Sequence, residues 1–120
     1  MQVLVIKTSS LGDIIHTLPA LSDAKLRFPK ITFDWVVEES FREVPAWHPA
    51  VKRIIPVALR RWRKEKWGIE KKKEIHNFIK TLRQEKYDYI IDAQGLMKSV
   101  LLILLSRGTK RIGFSWKSAR

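Results

Sequence analysis

The chain has 120 residues, 45% of them hydrophobic, which is enough for one modest domain with a buried core. It contains no cysteine, so disulfides and thiolate metal sites are excluded. Its formal net charge is +12, from 24 basic and 12 acidic residues. A basic excess of this size predicts an anionic partner, which would be a nucleic acid, a phospholipid surface or an acidic substrate.

The apolar runs of the sequence are short. The first, residues 3–6, is too short for the core of a signal peptide, and the longest, residues 100–105, is far shorter than a membrane span. We therefore expect a cytoplasmic protein that does not cross a membrane. The histidines His16, His48 and His76 lack metal-ligand spacing, and each is expected at the surface or half-buried.

The opening of the chain predicts a strand, a polar loop and a helix. Residues 3–6, VLVI, form an apolar run typical of a buried parallel strand. The loop that follows contains Ser9, Ser10 and Gly12, and Asp13 stands where the helix begins. Ligands of open α/β sheets bind beyond the carboxyl ends of the strands, so the loop and Asp13 form a candidate active site.

Two interpretations of Asp13 fit this pattern. As an N-cap, its carboxylate would accept hydrogen bonds from free amides in the first helical turn. As a functional group, it would be a base facing a ligand, kept ionised by the positive end of the helix dipole. The loop matches neither a three-glycine dinucleotide fingerprint nor a Gly-Lys-Ser/Thr phosphate loop, because Gly12 is its only glycine.

The next elements predict a helix and a second strand. Apolar residues recur at helical spacing over residues 14–28, and Pro19 is expected either to lie at the start of this helix or to kink it. Residues 31–37 predict a strand. Glu38 and Glu39 follow it and are expected to be solvated loop charges.

The remaining segments continue the alternation. Residues 41–49 predict a turn or two of helix. Strands are predicted at residues 51–57, 87–92 and 110–114, and helices at residues 69–86 and 96–106. Pro56 indicates that the third strand either lies at an edge of the sheet or ends at this residue. Gly108 is expected to cap the last helix. The order β-α-β-α-β-α-β-α-β predicts a Rossmann-like α/β fold, a doubly wound parallel sheet with helices on both faces.

A basic loop is predicted directly after the third strand. It carries four cationic side chains, Arg60, Arg61, Arg63 and Lys64. Arginine binds phosphate and carboxylate in bidentate geometry, and neighbouring cations repel one another unless an anion lies among them. The alternative is a solvated basic loop without a ligand, because charge runs are often no more than that.

The fourth strand ends in another polar stretch. Asp92 and Gln94 are candidate ligand contacts, and Gly95 would allow close approach to the backbone; the alternative is a turn formed by Asp92 and Gly95. Parallel strands end at one edge, so this stretch, the basic loop and Asp13 are expected to lie together. A carboxylate beside a cationic wall fits base-assisted transfer onto a hydroxyl of an acidic substrate.

Four segments give the sequence a resemblance to a known family. Residues 7–21, KTSSLGDIIHTLPAL, resemble the opening of the bacterial lipopolysaccharide heptosyltransferases, glycosyltransferase family 9. Residues 33–39, 55–64 and 91–99 resemble further motifs of that family in register. The resemblance covers nearly the whole chain. It implies the N-terminal, acceptor-binding half of a GT-B glycosyltransferase built from two Rossmann-like domains.

The resemblance also implies a particular reaction. It implies transfer of L-glycero-D-manno-heptose from ADP-heptose to Kdo2-lipid A, with inversion and without a metal or other cofactor. By motif, Asp13 corresponds to the general base that takes the proton of the acceptor hydroxyl. The basic acceptor-binding positions of the family correspond here to Arg60, Arg61, Arg63, Lys64 and Arg120. The implied setting is peripheral, on the cytoplasmic face of the inner membrane, without a nucleic-acid partner.

Residues 1–120 are therefore expected to form a partial N-terminal Rossmann-like domain without the C-terminal domain that binds the donor. No turnover is expected from these residues alone. Two other hypotheses remain open, a basic nucleic-acid-binding module and a nucleotide-binding Rossmann module. The concentration of charge beside a carboxylate argues against the first, and the missing glycine fingerprint argues against the second.

Overall fold

The chain folds around a parallel sheet. The computed structural model describes residues 1–92 and 108–113, with side chains over residues 1–91. Within these residues the strands are β1 Gln2–Ile6, β2 Thr32–Glu38, β3 Val51–Val57, β4 Tyr87–Asp92 and β5 Gly108–Gly113. The helices are α1 Leu11–Arg27, α2 Leu59–Lys64 and α3 Ile69–Arg83, and short 3-10 turns cover Glu39–Phe41 and Pro45–Trp47.

Strand β1 lies at the centre of this sheet. The strand order is β3-β2-β1-β4-β5, and each neighbouring pair is parallel. An interior parallel strand is covered on both faces, so its sequence is continuously apolar rather than alternating. Residues 3–6 meet this requirement, because each of the four side chains is at most 2% exposed.

Side chains of the sheet alternate into two apolar layers. The layer against α1 includes Val3, Val5, Ile14, Leu21, Trp35 and Val37. The layer against α3 includes Leu4, Ile6, Ile55, Phe78, Leu82 and Ile90. The predicted Rossmann-like fold, a doubly wound parallel sheet with helices on both faces, is confirmed.

Element bounds agree with the predictions in some places and differ in others. Strands β3 and β4 have the predicted bounds, and Pro56 lies on an edge strand. Helix α1 begins at Leu11 and continues through Pro19, which excludes the alternative that the helix starts at this proline. Gly108 belongs to β5. The predicted helix over residues 96–106 lies outside the described residues.

A partly buried polar cluster lies in the layer against α3. Asp34 on β2 is 5% exposed, and its Oδ2 accepts hydrogen bonds from Arg53 Nε at 3.0 Å and from the Tyr87 hydroxyl at 2.6 Å. Arg53 also donates to the Tyr87 hydroxyl at 3.1 Å. Burial and the Asp34 carboxylate raise the pKa of Tyr87, so its hydroxyl stays protonated as a donor. The cluster joins β2, β3 and β4.

Replacing Tyr87 with phenylalanine should lower the free energy of unfolding by about 1–3 kcal/mol, because the buried Asp34 carboxylate loses a hydrogen bond. Urea unfolding would measure the difference. The control is the same substitution in an Asp34→Ala background, where no carboxylate is left without its partner and the cost should shrink. Equal costs in both backgrounds would show that the Asp34 bond is not the cause.

His48 fastens the turn before β3 to α1. Its Nδ1 accepts a hydrogen bond from the Ala50 amide at 3.0 Å, and its Nε2 lies 2.9 Å from the Ser22 hydroxyl. A nitrogen that accepts carries no proton, so the ring is neutral and Nε2–H donates to Ser22. The expectation of a surface or half-buried histidine is wrong here, because His48 is 9% exposed. Burial lowers its pKa.

His48 should make the folded chain less stable in mild acid. Its folded pKa lies below 6.5, so as the pH falls from 6.5 to that folded value the unfolded chain binds the proton first, and the free energy of unfolding decreases. Urea unfolding at a series of pH values should show this slope in the wild type and a shallower one in His48→Gln. The control, His76→Gln, removes an exposed imidazole and should keep the slope. Identical profiles for His48→Gln and the wild type would contradict the prediction.

Candidate active site

The strand order predicts a ligand-binding position beside the end of β1. The sheet extends from β1 to β2 and β3 on one side and to β4 and β5 on the other, so its direction reverses between β1 and β4. Ligands of doubly wound sheets bind at the carboxyl ends of the strands at such a reversal. The loop that follows β1 carries Ser9 and Ser10 and enters α1 at this point, and Gly12 and Asp13 lie in the first turn of that helix.

Strand β2 holds the start of this loop. The Lys7 amide donates to the Val36 carbonyl at 3.2 Å, and the Glu38 amide donates to the Thr8 carbonyl at 3.1 Å. The buried indole of Trp35 donates to the Lys7 carbonyl at 3.0 Å. The parallel ladder thus continues beyond β1, and it determines where α1 begins.

Asp13 lies in the first turn of α1. Because the helix begins at Leu11, Ser10 is the N-cap residue, and the N-cap interpretation of Asp13 is wrong. The Ser10 hydroxyl donates to Asp13 Oδ2 at 3.3 Å, and the Thr17 hydroxyl donates to the Asp13 carbonyl at 2.8 Å. The carboxylate is half-buried at the positive end of the helix dipole, which favours its ionised form.

The basic residues beyond β3 form helix α2 rather than a loop. Arg60, Arg63 and Lys64 are exposed, and they line an open depression of about 400 Å³. These positions share one face because residues three and four apart are neighbours on a helix. The guanidinium of Arg60 also lies 5.8 Å from the centre of the Phe41 ring. The structure therefore groups three of the four predicted cations.

Arg61 is separated from the other three and bonded to carboxylates. Its Nε lies 3.0 Å from Glu39 Oε2, and its Nη1 lies 3.2 Å from Glu65 Oε1. Its Nη2 lies 2.5 Å from Glu74 Oε2, which also accepts from Trp62 Nε1 at 3.0 Å. These contacts fasten α2 to the end of β2 and to α3. Carboxylates of the chain itself therefore occupy Arg61, one of the four cations predicted to bind an external anion.

Two carboxylates at the end of β2 were expected to be solvated loop charges, and this expectation is wrong. Glu38 is 4% exposed, and Glu39 pairs with Arg61. Glu74, the other main partner of Arg61, belongs to the lysine-rich helix α3 and was not predicted to act at the site. Neither pair could be predicted from local sequence, because Glu39 lies 22 residues before Arg61 and Glu74 lies 13 residues after it.

The third predicted part of the site is not described. Asp92 ends β4, but its side chain, together with Gln94, Gly95 and Arg120, lies outside the described residues. In the described part of the chain, no group of three or more His, Asp or Glu side chains is placed to hold a metal ion. No helix described in the structure is long and apolar enough to cross a membrane.

The structure defines a Rossmann-like domain with a carboxylate and a cationic helix beyond its strand ends. The profile of glycosyltransferase family 9 (heptosyltransferase) matches residues 75–120. Lipopolysaccharide heptosyltransferase 1 of Escherichia coli strain K12 is 54% identical over 121 residues, covering 100% of this chain and 38% of that protein. The protein of the same name from Pseudomonas aeruginosa is 56% identical over 120 residues, covering 100% and 34%.

Solved structures agree. E. coli heptosyltransferase WaaC with ADP-2-deoxy-2-fluoro heptose superimposes with a TM-score of 0.90 at 53% identity, covering 100% of this chain and 38% of that chain. E. coli ADP-heptose lps heptosyltransferase II shares the fold, with a TM-score of 0.70 at 23% identity, covering 94% and 30%. The chain is similar to the N-terminal part of these GT-B proteins of glycosyltransferase family 9 and spans little more than a third of their length.

The bond network around Arg61 should be visible in the titration of Glu74. The guanidinium of Arg61 and the indole of Trp62 lower the pKa of Glu74 from 4.5 to about 2. This pairing stabilises the fold fully above pH 4.5, and the contribution is lost as the pH falls through about 2.

Side-chain carboxyl NMR shifts should therefore show no Glu74 titration step near pH 4.5 in the wild type and such a step in Arg61→Ala. The matched control is Arg63→Ala, which removes an exposed arginine of the same helix and should leave Glu74 unchanged. A Glu74 step near 4.5 in the wild type would contradict the assignment.

Proposed function

We propose that the chain is the acceptor-binding part of an inverting heptosyltransferase of lipopolysaccharide inner-core biosynthesis. The enzyme transfers L-glycero-D-manno-heptose from ADP-heptose to Kdo2-lipid A. The observation that carries the proposal is the match along the entire chain, at 54% and 56% identity, to relatives named lipopolysaccharide heptosyltransferase 1. The position of Asp13 beside the strand-order reversal supports it.

In the proposed reaction Asp13 is the general base. Its carboxylate takes the proton of a Kdo hydroxyl, and the hydroxyl oxygen attacks the anomeric carbon of the heptose. The bond from that carbon to the phosphate oxygen of ADP breaks, ADP leaves from the opposite face, and the configuration inverts. The helix dipole and the hydrogen bond from Ser10 keep the carboxylate ionised before the proton arrives.

The acceptor is held by the exposed face of α2. Arg60, Arg63 and Lys64 bind its carboxylates and phosphates, for which a depression lined by three cations is suited. Arg61 is reassigned from binding the acceptor to positioning α2, because its guanidinium is occupied by carboxylates. Arg120 remains a proposed further contact.

The donor and the setting complete the proposal. ADP-heptose is assigned to a second Rossmann-like domain, the arrangement that the GT-B fold implies. A solved neighbour whose title includes ADP-2-deoxy-2-fluoro heptose supports a nucleotide-sugar donor. We expect no metal or other cofactor. Because the acceptor is a lipid, we assign the protein to the cytoplasmic face of the inner membrane as a peripheral protein.

Binding of a soluble Kdo2-lipid A analogue should distinguish the roles of these residues. Replacing Arg60, Arg63 and Lys64 with alanine should reduce affinity by at least about tenfold, because each cation contributes a charge-assisted contact. Asp13→Ala should change affinity by less than about threefold, because a base acts in the reaction rather than in binding. Isothermal titration calorimetry of the purified chain measures both.

Duplex DNA of similar charge is the matched control ligand. Preference for the Kdo analogue over DNA at physiological salt supports the proposal. Equal binding of both ligands, disappearing together as salt rises, would instead identify an electrostatic patch of the kind that binds nucleic acids.

A further inference from the structure

The turn between α2 and α3 and the first residue of α3 carry two exposed apolar side chains in basic surroundings. Trp67 is 63% exposed and Ile69 is 74% exposed. Residues 63–73 contain six basic and two acidic residues. Large apolar side chains are normally buried, so their exposure next to one another is informative.

The indole of Trp67 is held in place by lysines of α3. Lys71 Nζ donates to the carbonyl of Trp62 and, at 3.1 Å, to the carbonyl of Glu65, which fixes it against α2. The same Nζ lies 5.4 Å from the centre of the Trp67 ring, and Lys72 Nζ lies 5.7 Å from it. These cation–π contacts hold the ring at the surface.

The surroundings of Trp67 are basic, because six basic residues against two acidic ones give residues 63–73 a formal net charge of +4. Of the two acidic residues, Glu65 lies 3.2 Å from Arg61, and Glu70 is exposed. Lys66, Lys72 and Lys73 are exposed beside the two apolar side chains. The patch therefore combines an aromatic ring, an aliphatic side chain and several cations.

We propose that Trp67, Ile69, Lys66, Lys72 and Lys73 form a docking surface for an anionic phospholipid bilayer. Tryptophan favours the interfacial layer of a bilayer, and the isoleucine enters the boundary of the acyl chains. Lysines place their stems on apolar surface and their ammonium groups at the phosphates. Charge complementarity between this patch and anionic headgroups selects the partner.

The inference extends the proposed function and rests on its assignment of a lipid-linked acceptor. A lipid-linked acceptor lies in the bilayer, and the docking surface directly follows α2 in the chain. Docking through Trp67 therefore brings the depression lined by Arg60, Arg63 and Lys64 close to the headgroup layer. A nucleic acid fits the patch less well, because Ile69 has no base or phosphate to contact and two lysines already lie over the Trp67 ring.

The test is flotation of the purified chain with vesicles that contain no acceptor. Phosphatidylcholine vesicles with phosphatidylglycerol should bind the chain, and vesicles of phosphatidylcholine alone should not. Replacing Lys66, Lys72 and Lys73 with glutamine should weaken binding by about fivefold per lysine, on the order of a hundredfold together. The Trp67→Ala, Ile69→Ala double variant should weaken it by about tenfold or more.

Two matched controls come from elsewhere on the chain. Trp47→Ala removes a tryptophan that is 67% exposed on a 3-10 turn. Replacing Lys30, Lys52 and Lys86 with glutamine removes the same charge from the opposite edge of the sheet, where β2, β3 and β4 begin. Both controls should retain binding within about twofold. Doxyl-labelled lipid should quench tryptophan fluorescence in Trp47→Ala and much less in Trp67→Ala.

Three results would overturn the inference. The first is an equal loss of vesicle binding when Lys66, Lys72 and Lys73 or the three control lysines are replaced. The second is unchanged vesicle binding in the Trp67→Ala, Ile69→Ala variant, and the third is stronger binding to duplex DNA than to anionic vesicles. Loss of binding to the soluble Kdo analogue, with vesicle binding intact, would contradict the proposed function and leave the docking surface in place. Loss of vesicle binding, with binding to the soluble Kdo analogue intact, would contradict the docking surface and leave the proposed function in place.

Discussion

The double burial of β1 is the constraint on which the other elements depend. Because both faces of this strand are apolar, a slip by one residue would still bury apolar side chains, so hydrophobicity alone specifies its register weakly. The hydrogen bond from the Trp35 indole to the Lys7 carbonyl supplies the missing specificity, since the ring is fully buried and has one donor to satisfy. The end of β1 in turn sets the position of Ser10 and Asp13.

Helix α2 depends on a different kind of constraint. Six residues are too few for a helix that is stable by itself in water, so contacts from outside must hold it. The ion pairs of Arg61 are partly exposed and individually weak, but they share one guanidinium and converge from the 3-10 turn after β2 and from α3. These pairs orient α2, because Arg61 faces Glu39 and Glu74 while Arg60, Arg63 and Lys64 lie on the outer face.

Local pattern was enough to predict much of the fold. The bounds of β3 and β4 and the α/β alternation follow from periodicities of a few residues. The division of the basic run was beyond such patterns, because Arg61 and its neighbours are chemically alike. What distinguishes Arg61 is a carboxylate 22 residues earlier and another 13 residues later. His48 was misjudged for the same reason, since its partner Ser22 is 26 residues away.

For the candidate site, the sequence placed Asp13 near a helix start but could not separate a cap from a base, because both roles need a carboxylate there. The identities of the donor and acceptor sugars, in contrast, were predicted only from the family resemblance.

The edge position of Pro56 has a consequence for how copies of this chain meet one another. An edge strand exposes backbone groups that can pair with a strand of another molecule, which begins aggregation. Proline has no amide hydrogen, so it removes a donor from that row without weakening the interior of the sheet. Lys52, also exposed on β3, adds a charge that an incoming strand would have to desolvate. Strand β3 is thus protected against self-association at the level of its own sequence.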